Sequence, residues 1–337
     1  MQKSSITRIL CIDKKFPNER IFRMSELKET QYLCKFDNTL QHAMIRISDS
    51  TEPRPLLVGL HTWSYDYTAW SKGYDLLCQR LDYHFIFPDF RGPNWTMEGC
   101  GSDAVVSDLE DAVSYMKKIC NVDEKRIFLV GGSGGGHASL LMAGRRPDLF
   151  TAISSWCPIS DVARWHKEAA QRSLNYADHI LKACGGDPAQ SKEAFFQARV
   201  RSPLTWLSNA VNICPVDIAT GIHDGHTGSV PVGHAIRAYN LLAAEEDRIS
   251  EEDIAYIEEK EAVPPHLQGE YPDPAYGEVK IHLRKVSNKV RFTLFEGGHE
   301  CFENAAGEWF SRQSGDQAPD FAPGKAITAA HPSELSK

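Results

Sequence analysis

Ser133 stands in the run Gly131-Gly132-Ser133-Gly134-Gly135-Gly136-His137, directly after the apolar stretch 126–130. The spacing fits G-x-S-x-G, with Gly131 and Gly135 at the required offsets. A serine between a strand and a helix turns the chain so tightly that its own backbone is strained and neighbouring side chains would collide; flanking glycines remove the collision. Residues 138–143 are good helix formers, so strand, turn and helix follow in the order that exposes a hydroxyl as a nucleophile. A phosphate-binding loop fits less well, because no Gly-Lys-Ser/Thr ending is present and a histidine stands in its place.

A serine hydroxyl is a poor nucleophile at neutral pH and needs a base, which in turn needs an orienting acid. Behind a nucleophile on such a turn, the acid and then the histidine follow in the chain, each past the end of a strand. Residues 216–222 read as a short strand ending in His223-Asp224-Gly225, which offers Asp224 as the acid. Residues 290–295 alternate as a half-buried strand and run into Glu296-Gly297-Gly298-His299, with a helical stretch at 301–310 beyond; this offers His299 as the base. With an ordinary pKa of about 6.5, such a histidine can take the serine proton and return it to the leaving group. Two backbone N–H groups should face the oxyanion, one from Gly134 and the other from Thr62 or Trp63, after the strand at 55–61.

Together with Pro88-Asp89-Phe90-Arg91-Gly92 and with Val230-Pro231 after Asp224, these motifs resemble those of α/β-hydrolases. The resemblance is to the catalytic domain of the prolyl oligopeptidase family and its single-domain esterase relatives, over residues 30–312. It implies a serine hydrolase that works through an acyl-enzyme intermediate and without a cofactor. Two features depart from the pattern. Peptidases of that family usually carry a large β-propeller ahead of the hydrolase domain, whereas the strand at 55–61 comes early in this chain. The usual His-Gly-Gly oxyanion segment is replaced by His61-Thr62-Trp63-Ser64, which leaves the second donor open.

The elements that must position these residues follow from periodicity and punctuation. Strands at 32–36 and 40–47 form an N-terminal hairpin, and strands at 55–61, 84–89, 126–132 and 151–157 alternate with helices at 67–81, 102–120 and 134–146. Such alternation predicts an α/β class with a mainly parallel, doubly wound sheet and antiparallel strands at its N-terminal side, whose catalytic loops gather at the carboxyl edge. Residues 1–313 read as one hydrolase domain. Within it, 160–210 should form a small helical lid, and the acid- and proline-rich stretch 245–289 a solvated surface excursion. The tail 314–337 should be extended or disordered.

Composition narrows the partners. The 337 residues are 42% hydrophobic and 24% charged, ordinary globular usage. A formal charge of −8 without a basic patch disfavours nucleic acid. No stretch reaches the ~18 apolar residues that span a bilayer, and Met1 to Ile6 lacks the look of a signal peptide. Nine scattered cysteines without a C-x-x-C pair suggest reduced, buried thiols and a cytoplasmic setting, or secretion if a signal peptide has been removed. His223 and His226 flank Asp224 but have no matching ligand cluster in the sequence, so no catalytic metal is expected. A homo-oligomer is compatible with the sequence.

The loops expected at the pocket mouth are aromatic: Trp63, Tyr65 and Tyr67, then Trp95, Trp156 and Trp165. Beside Arg91, Asn94 and His226, such faces would suit a sugar or an aromatic acyl group. The substrate-binding expectation is therefore Arg91, Asn94, Trp95, Trp165 and His226. The activity expectation is a carboxylic ester hydrolase acting on a small-molecule or oligosaccharide ester, with carbohydrate acetyl or aromatic-acyl groups as candidates. Two alternatives remain: a prolyl oligopeptidase-type peptidase, and a hydrolase-fold binding protein without catalysis.

Overall fold

In the computed structural model, which describes residues 25–325, nine strands build one sheet. They are β1 (Lys28–Leu33), β2 (Leu40–Arg46), β3 (Arg54–Leu60), β4 (His84–Pro88), β5 (Val122–Gly132), β6 (Ala152–Trp156), β7 (Val216–Gly221), β8 (Ile281–Ser287) and β9 (Val290–Phe295). Their order is β1-β2-β4-β3-β5-β6-β7-β9-β8. The run from β4 to β9 is parallel, while β1, β2 and β8 pair antiparallel at the two sides.

Side chains of the central strands alternate between two apolar layers, as the pleat requires. Ile127 and Leu129 of β5 enter one layer with α2 (Asp103–Ile119), α3 (Gly134–Arg145) and α7 (Gly233–Leu242). Phe128 and Val130 enter the other with α1 (Lys72–Leu81) and α9 (Glu303–Phe310). Both faces are covered, so the loops that carry polar chemistry are left at the carboxyl edge.

Four sequence expectations need correction. The first strand lies at 28–33 rather than 32–36: its polar start, Lys28-Glu29-Thr30-Gln31, has no alternation to betray it because an edge strand is open to solvent. The helix expected at 67–81 begins only at α1. Asp66 caps a separate 3-10 turn by accepting from the Thr68 amide, and Ser71 caps the helix proper by accepting from Tyr74 N.

The third correction concerns 245–289, which is largely structural rather than a surface excursion. Ser250 caps α8 (Glu251–Lys260), and Ile254 and Ile257 on that helix are fully buried in the main core. Each such isoleucine contributes on the order of 1.5–3 kcal/mol of burial. Strand β8 then alternates buried Ile281 and Leu283 with more open neighbours. Charged residues on the solvent side of both elements mask the period.

The fourth correction concerns the tail, of which 314–325 is folded onto the body. Trp309 Nε1 donates to Asp320 O at 3.0 Å, Phe321 stacks on Trp309, and Gly324 N donates to Asp273 Oδ1 at 2.8 Å. Residues 326–337 lie outside the described residues.

Residues 162–200 form three helices, α4 (Val162–Gln171), α5 (Tyr176–Cys184) and α6 (Lys192–Val200). They share a small apolar core of their own, in which Val162, Trp165, Ile180 and Ala198 pack with Trp63 and Val230 from the loops beside the sheet edge. The remainder of the segment, around Leu207 and Ala210, joins the main core instead.

Candidate active site

Ser133 leaves β5 with φ 57° and ψ −116°, a strained conformation of the kind that persists only when its surroundings enforce it. Enforcement comes from both sides. Ser133 N donates to Trp156 O at 2.9 Å, and Ser133 O accepts from His137 N at 2.8 Å. A Cβ on Gly131 would overlap the Gly135 backbone, which explains both outer glycines of the motif in one contact. The serine itself is half-buried.

Asp224 lies three residues past β7 and is almost wholly buried. Its Oδ1 accepts from Gly225 N (2.9 Å) and Val230 N (3.2 Å), and its Oδ2 from Thr220 Oγ1 (3.5 Å) and His299 Nδ1 (2.7 Å). The carboxylate is thus aimed by its own loop at the ring. His299 Nε2 is buried and makes no hydrogen bond. Burial alone favours the neutral ring, but hydrogen bonds with Asp224 and Cys157 outweigh it and carry the His299 pKa up to about 10.

Asp224 and His299 are therefore joined, while a Ser133–His299 hydrogen bond is not made in this conformation. The two loops nevertheless meet. A Cβ on Gly132 would overlap Cys301 Sγ, two residues beyond His299. Trp156, which receives the Ser133 amide, precedes Cys157, whose Sγ lies 3.3 Å from Glu300 O. Nε2 is left without a partner, and apo geometry in such sites commonly tightens only on substrate binding.

For an oxyanion, Gly134 and Trp63 come together: a Cβ on Gly134 would lie 2.5 Å from Trp63 N. The Trp63 amide has no backbone acceptor among the described residues. Asn94 fixes this loop, since its backbone N donates to Trp63 O at 2.9 Å and its Oδ1 accepts from Cys100 N at 3.2 Å. Thr62 is exposed, and its carbonyl accepts from His61 Nδ1 at 2.9 Å.

Most of the expected substrate-binding side chains have other occupations. Arg91 is consumed by Asp108 and Asp37, with Nε to Asp108 Oδ2 at 2.8 Å and Nη1 to Asp37 Oδ2 at 2.6 Å. It lines a cavity of about 620 Å³ that includes none of Ser133, Asp224 and His299. Asn94 is buried in its loop. Trp165 is fully buried, donates Nε1 to Ser229 O at 3.0 Å, and meets Trp63 edge-on at 4.7 Å. Trp63 and Trp156 are buried as well. Trp63 and Trp165 therefore bind the helical insertion to the body, while Trp156 packs with Tyr276, Phe295 and Phe302, because a large apolar surface is worth more in a core than as a platform. Trp95, half-buried beside His179 at 4.7 Å, keeps part of its face open. His226 lines a cavity of about 210 Å³ next to Asp224, with Nε2 2.6 Å from Glu258 O.

Sequence reasoning missed three neighbours of the pair. Arg172 at the end of α4 donates to Gly228 O (2.6 Å) and Ser229 O (3.3 Å), bracing the Asp224 loop. Gly228 lies against both Asp224 and His299, where any Cβ would overlap the carboxylate. Cys157, at φ 45° directly after β6, places a thiol against the pair. Its place immediately past the strand beside the nucleophile strand was the available signal.

The model of the prolyl oligopeptidase family matches residues 76–254, just over half of the chain. Among solved structures, the acylaminoacyl peptidase of Pyrococcus horikoshii is similar over 93% of this chain and 44% of its own, at 14% identity and TM-score 0.57. Oligopeptidase B of Leishmania major matches over 85% and 35%, at 13% identity and TM-score 0.55. Prolyl oligopeptidase B of Galerina marginata matches over 64% and 31%, at 18% identity and TM-score 0.51. At these identities the likeness is one of fold, an α/β-hydrolase sheet, and the chain spans less than half the length of each. No curated protein matches the sequence. Among the described residues, no helix is long and apolar enough to cross a membrane.

Proposed function

The chain belongs to the prolyl oligopeptidase family, and from that premise we propose that it is a serine hydrolase that transfers an acyl group to Ser133 and then to water. The observation that carries this reading is the Asp224–His299 pair at 2.7 Å, whose other ring nitrogen is left without a partner on a loop that meets the loop of a strained serine. His299 takes the Ser133 proton as Oγ attacks the substrate carbonyl, while Asp224 holds the tautomer and stabilises the imidazolium. The Gly134 and Trp63 amides receive the oxyanion; losing one such donor costs about 2.7–4 kcal/mol of transition-state stabilisation. Proton return from His299 expels the leaving group, and water repeats the cycle on the acyl-enzyme.

For the substrate we infer a short peptide or acylated amino-acid amide. Family membership favours it, and burial of Trp63, Trp156 and Trp165 withdraws most of the stacking surface that favoured an acylated sugar. Ester cleavage by the same groups is the second reading, favoured by the open part of Trp95. A panel of Gly-Pro amides and N-acyl amino-acid amides beside acetylated and feruloylated sugars separates them. Higher kcat/KM on the amides is expected; turnover confined to the sugars would overturn the peptide reading.

A further inference from the structure

Cys157 has no part in acyl transfer, yet its thiol lies against the groups that perform it. The Cys157 Sγ, a carboxylate oxygen of Asp224 and a ring nitrogen of His299 all lie within 4.8 Å of one another. We propose that these three side chains form a site for a thiophilic divalent cation of the zinc class, and that occupancy switches the enzyme off. The switching part rests on the hydrolase reading above; the binding part does not.

The donor set suits such an ion. Thiolate, imidazole and carboxylate are the ligands zinc takes in sites with three protein donors and one open position, whereas Mg²⁺ and Ca²⁺ prefer oxygen alone. With Zn–S near 2.3 Å and Zn–N and Zn–O near 2.0–2.2 Å, a tetrahedral ion holds its ligand atoms roughly 3.3–3.8 Å apart. No separation exceeds 4.8 Å, so none has to close by more than about 1–1.5 Å, while the 2.7 Å contact between Asp224 Oδ2 and His299 Nδ1 has to open; both adjustments are within reach of side chains on loops at the sheet edge. The thiol gives up weak hydrogen bonds, to Gly298 O (3.9 Å), to Glu300 O (3.3 Å) and with the His299 ring, with which it would then share the ion. Charge also balances, because a dication, a thiolate and a carboxylate sum to zero once the thiol proton has left to solvent.

Occupancy disables the reaction for a direct reason. The metal takes up the carboxylate and a ring nitrogen whose mutual hydrogen bond aims the base. A second histidine cluster lies close by, and it provides the competing explanation for any metal effect. His223 Nε2 lies 2.8 Å from Glu296 Oε1, His282 Nε2 2.8 Å from Glu296 Oε2, and His223 Nδ1 2.6 Å from Glu261 Oε2. That cluster is more exposed and holds no thiol.

Cobalt is the probe that tells the two apart, because a thiolate ligand gives Co²⁺ a charge-transfer absorption in the near ultraviolet and a histidine–carboxylate site does not. The expected result is that one equivalent of Co²⁺ produces the band, that Zn²⁺ displaces it, and that Cys157→Ser abolishes it. Zn²⁺ should also slow fluorophosphonate labelling of the protein at least tenfold, reversibly by EDTA, with at least a tenfold weaker apparent affinity in Cys157→Ser. Inhibition that is unchanged in Cys157→Ser, or lost in His282→Ala, would overturn the proposal in favour of the surface cluster. If Cys157→Ser does not fold, Zn²⁺ should instead protect Cys157 of the unaltered protein from methyl methanethiosulfonate, read by peptide mass spectrometry; absence of protection would overturn it. Absence of labelling without any metal contradicts the hydrolase reading, while the cobalt band still decides the site.

Discussion

Strands β7 and β9 carry two acid–base pairs, one in the middle of the sheet and one beyond its edge, and the contrast separates holding from reacting. In the middle, Asp217 and Arg291 are direct neighbours in the parallel register, joined at 2.7 Å and buried, with Ser154 Oγ 3.3 Å from the second carboxylate oxygen. Past the edge, Asp224 and His299 are joined at the same distance, yet Nε2 of the ring has no partner. A guanidinium stays protonated and can only hold; an imidazole can pass a proton on. The pair left incomplete is the one whose chemistry could pass a proton on.

Breaking each pair should have opposite consequences. Asp224→Asn is expected to lower kcat on p-nitrophenyl acetate by about 10⁴-fold in a folded protein, since the wrong tautomer is then favoured. Asp217→Asn leaves Arg291 uncompensated in the core and should destabilise the fold by about 3–5 kcal/mol in urea titration, with little change in kcat of the folded fraction. Equal kinetic losses in the two variants would erase the distinction.

The pH profile sharpens the comparison. His299 acts as a base only when deprotonated, and its pKa is raised, to about 10. The ascending limb of kcat/KM should therefore lie on the alkaline side of the ordinary histidine value. The same shift adds stability that is fully present below the unfolded-state pKa and is lost as pH rises through the folded one. An ascending limb at or below pH 6.5 would contradict this, and Asp217→Asn should leave the limb in place.

The smallest effect concerns Trp95, in the loop after β4 and against His179 of the insertion. Trp95→Ala should raise KM for a bulky substrate more than for p-nitrophenyl acetate, because only stacking is lost. Equal changes on both would mean that Trp95, like Trp165, merely packs.

The strained turn at Ser133, the meeting of Asp224 and His299 past two strand ends, and the alternation of strands and helices were legible in the sequence because each follows a local rule: glycine spacing, strand ends, apolar period. What was not legible depended on long-range contact. Lys28 to Gln31 is an edge segment without apolar alternation, and the alternation of Ile281 and Leu283 in β8 is masked by charged neighbours on its solvent side. Arg91 and Trp165 resembled binding residues because their partners, Asp37, Asp108 and Ser229, are remote in the chain. Cys157 gave little sign of its role, since a thiol matters here only through what β7 and β9 bring against it.

The central claim, that the open nitrogen of His299 serves Ser133, is tested most directly by treating the folded protein with a fluorophosphonate and mapping the adduct by mass spectrometry. One adduct, on the peptide that contains Ser133, is expected, and it should vanish in His299→Gln with the fold intact. An unlabelled folded protein, an adduct elsewhere, or undiminished labelling in His299→Gln would contradict the account.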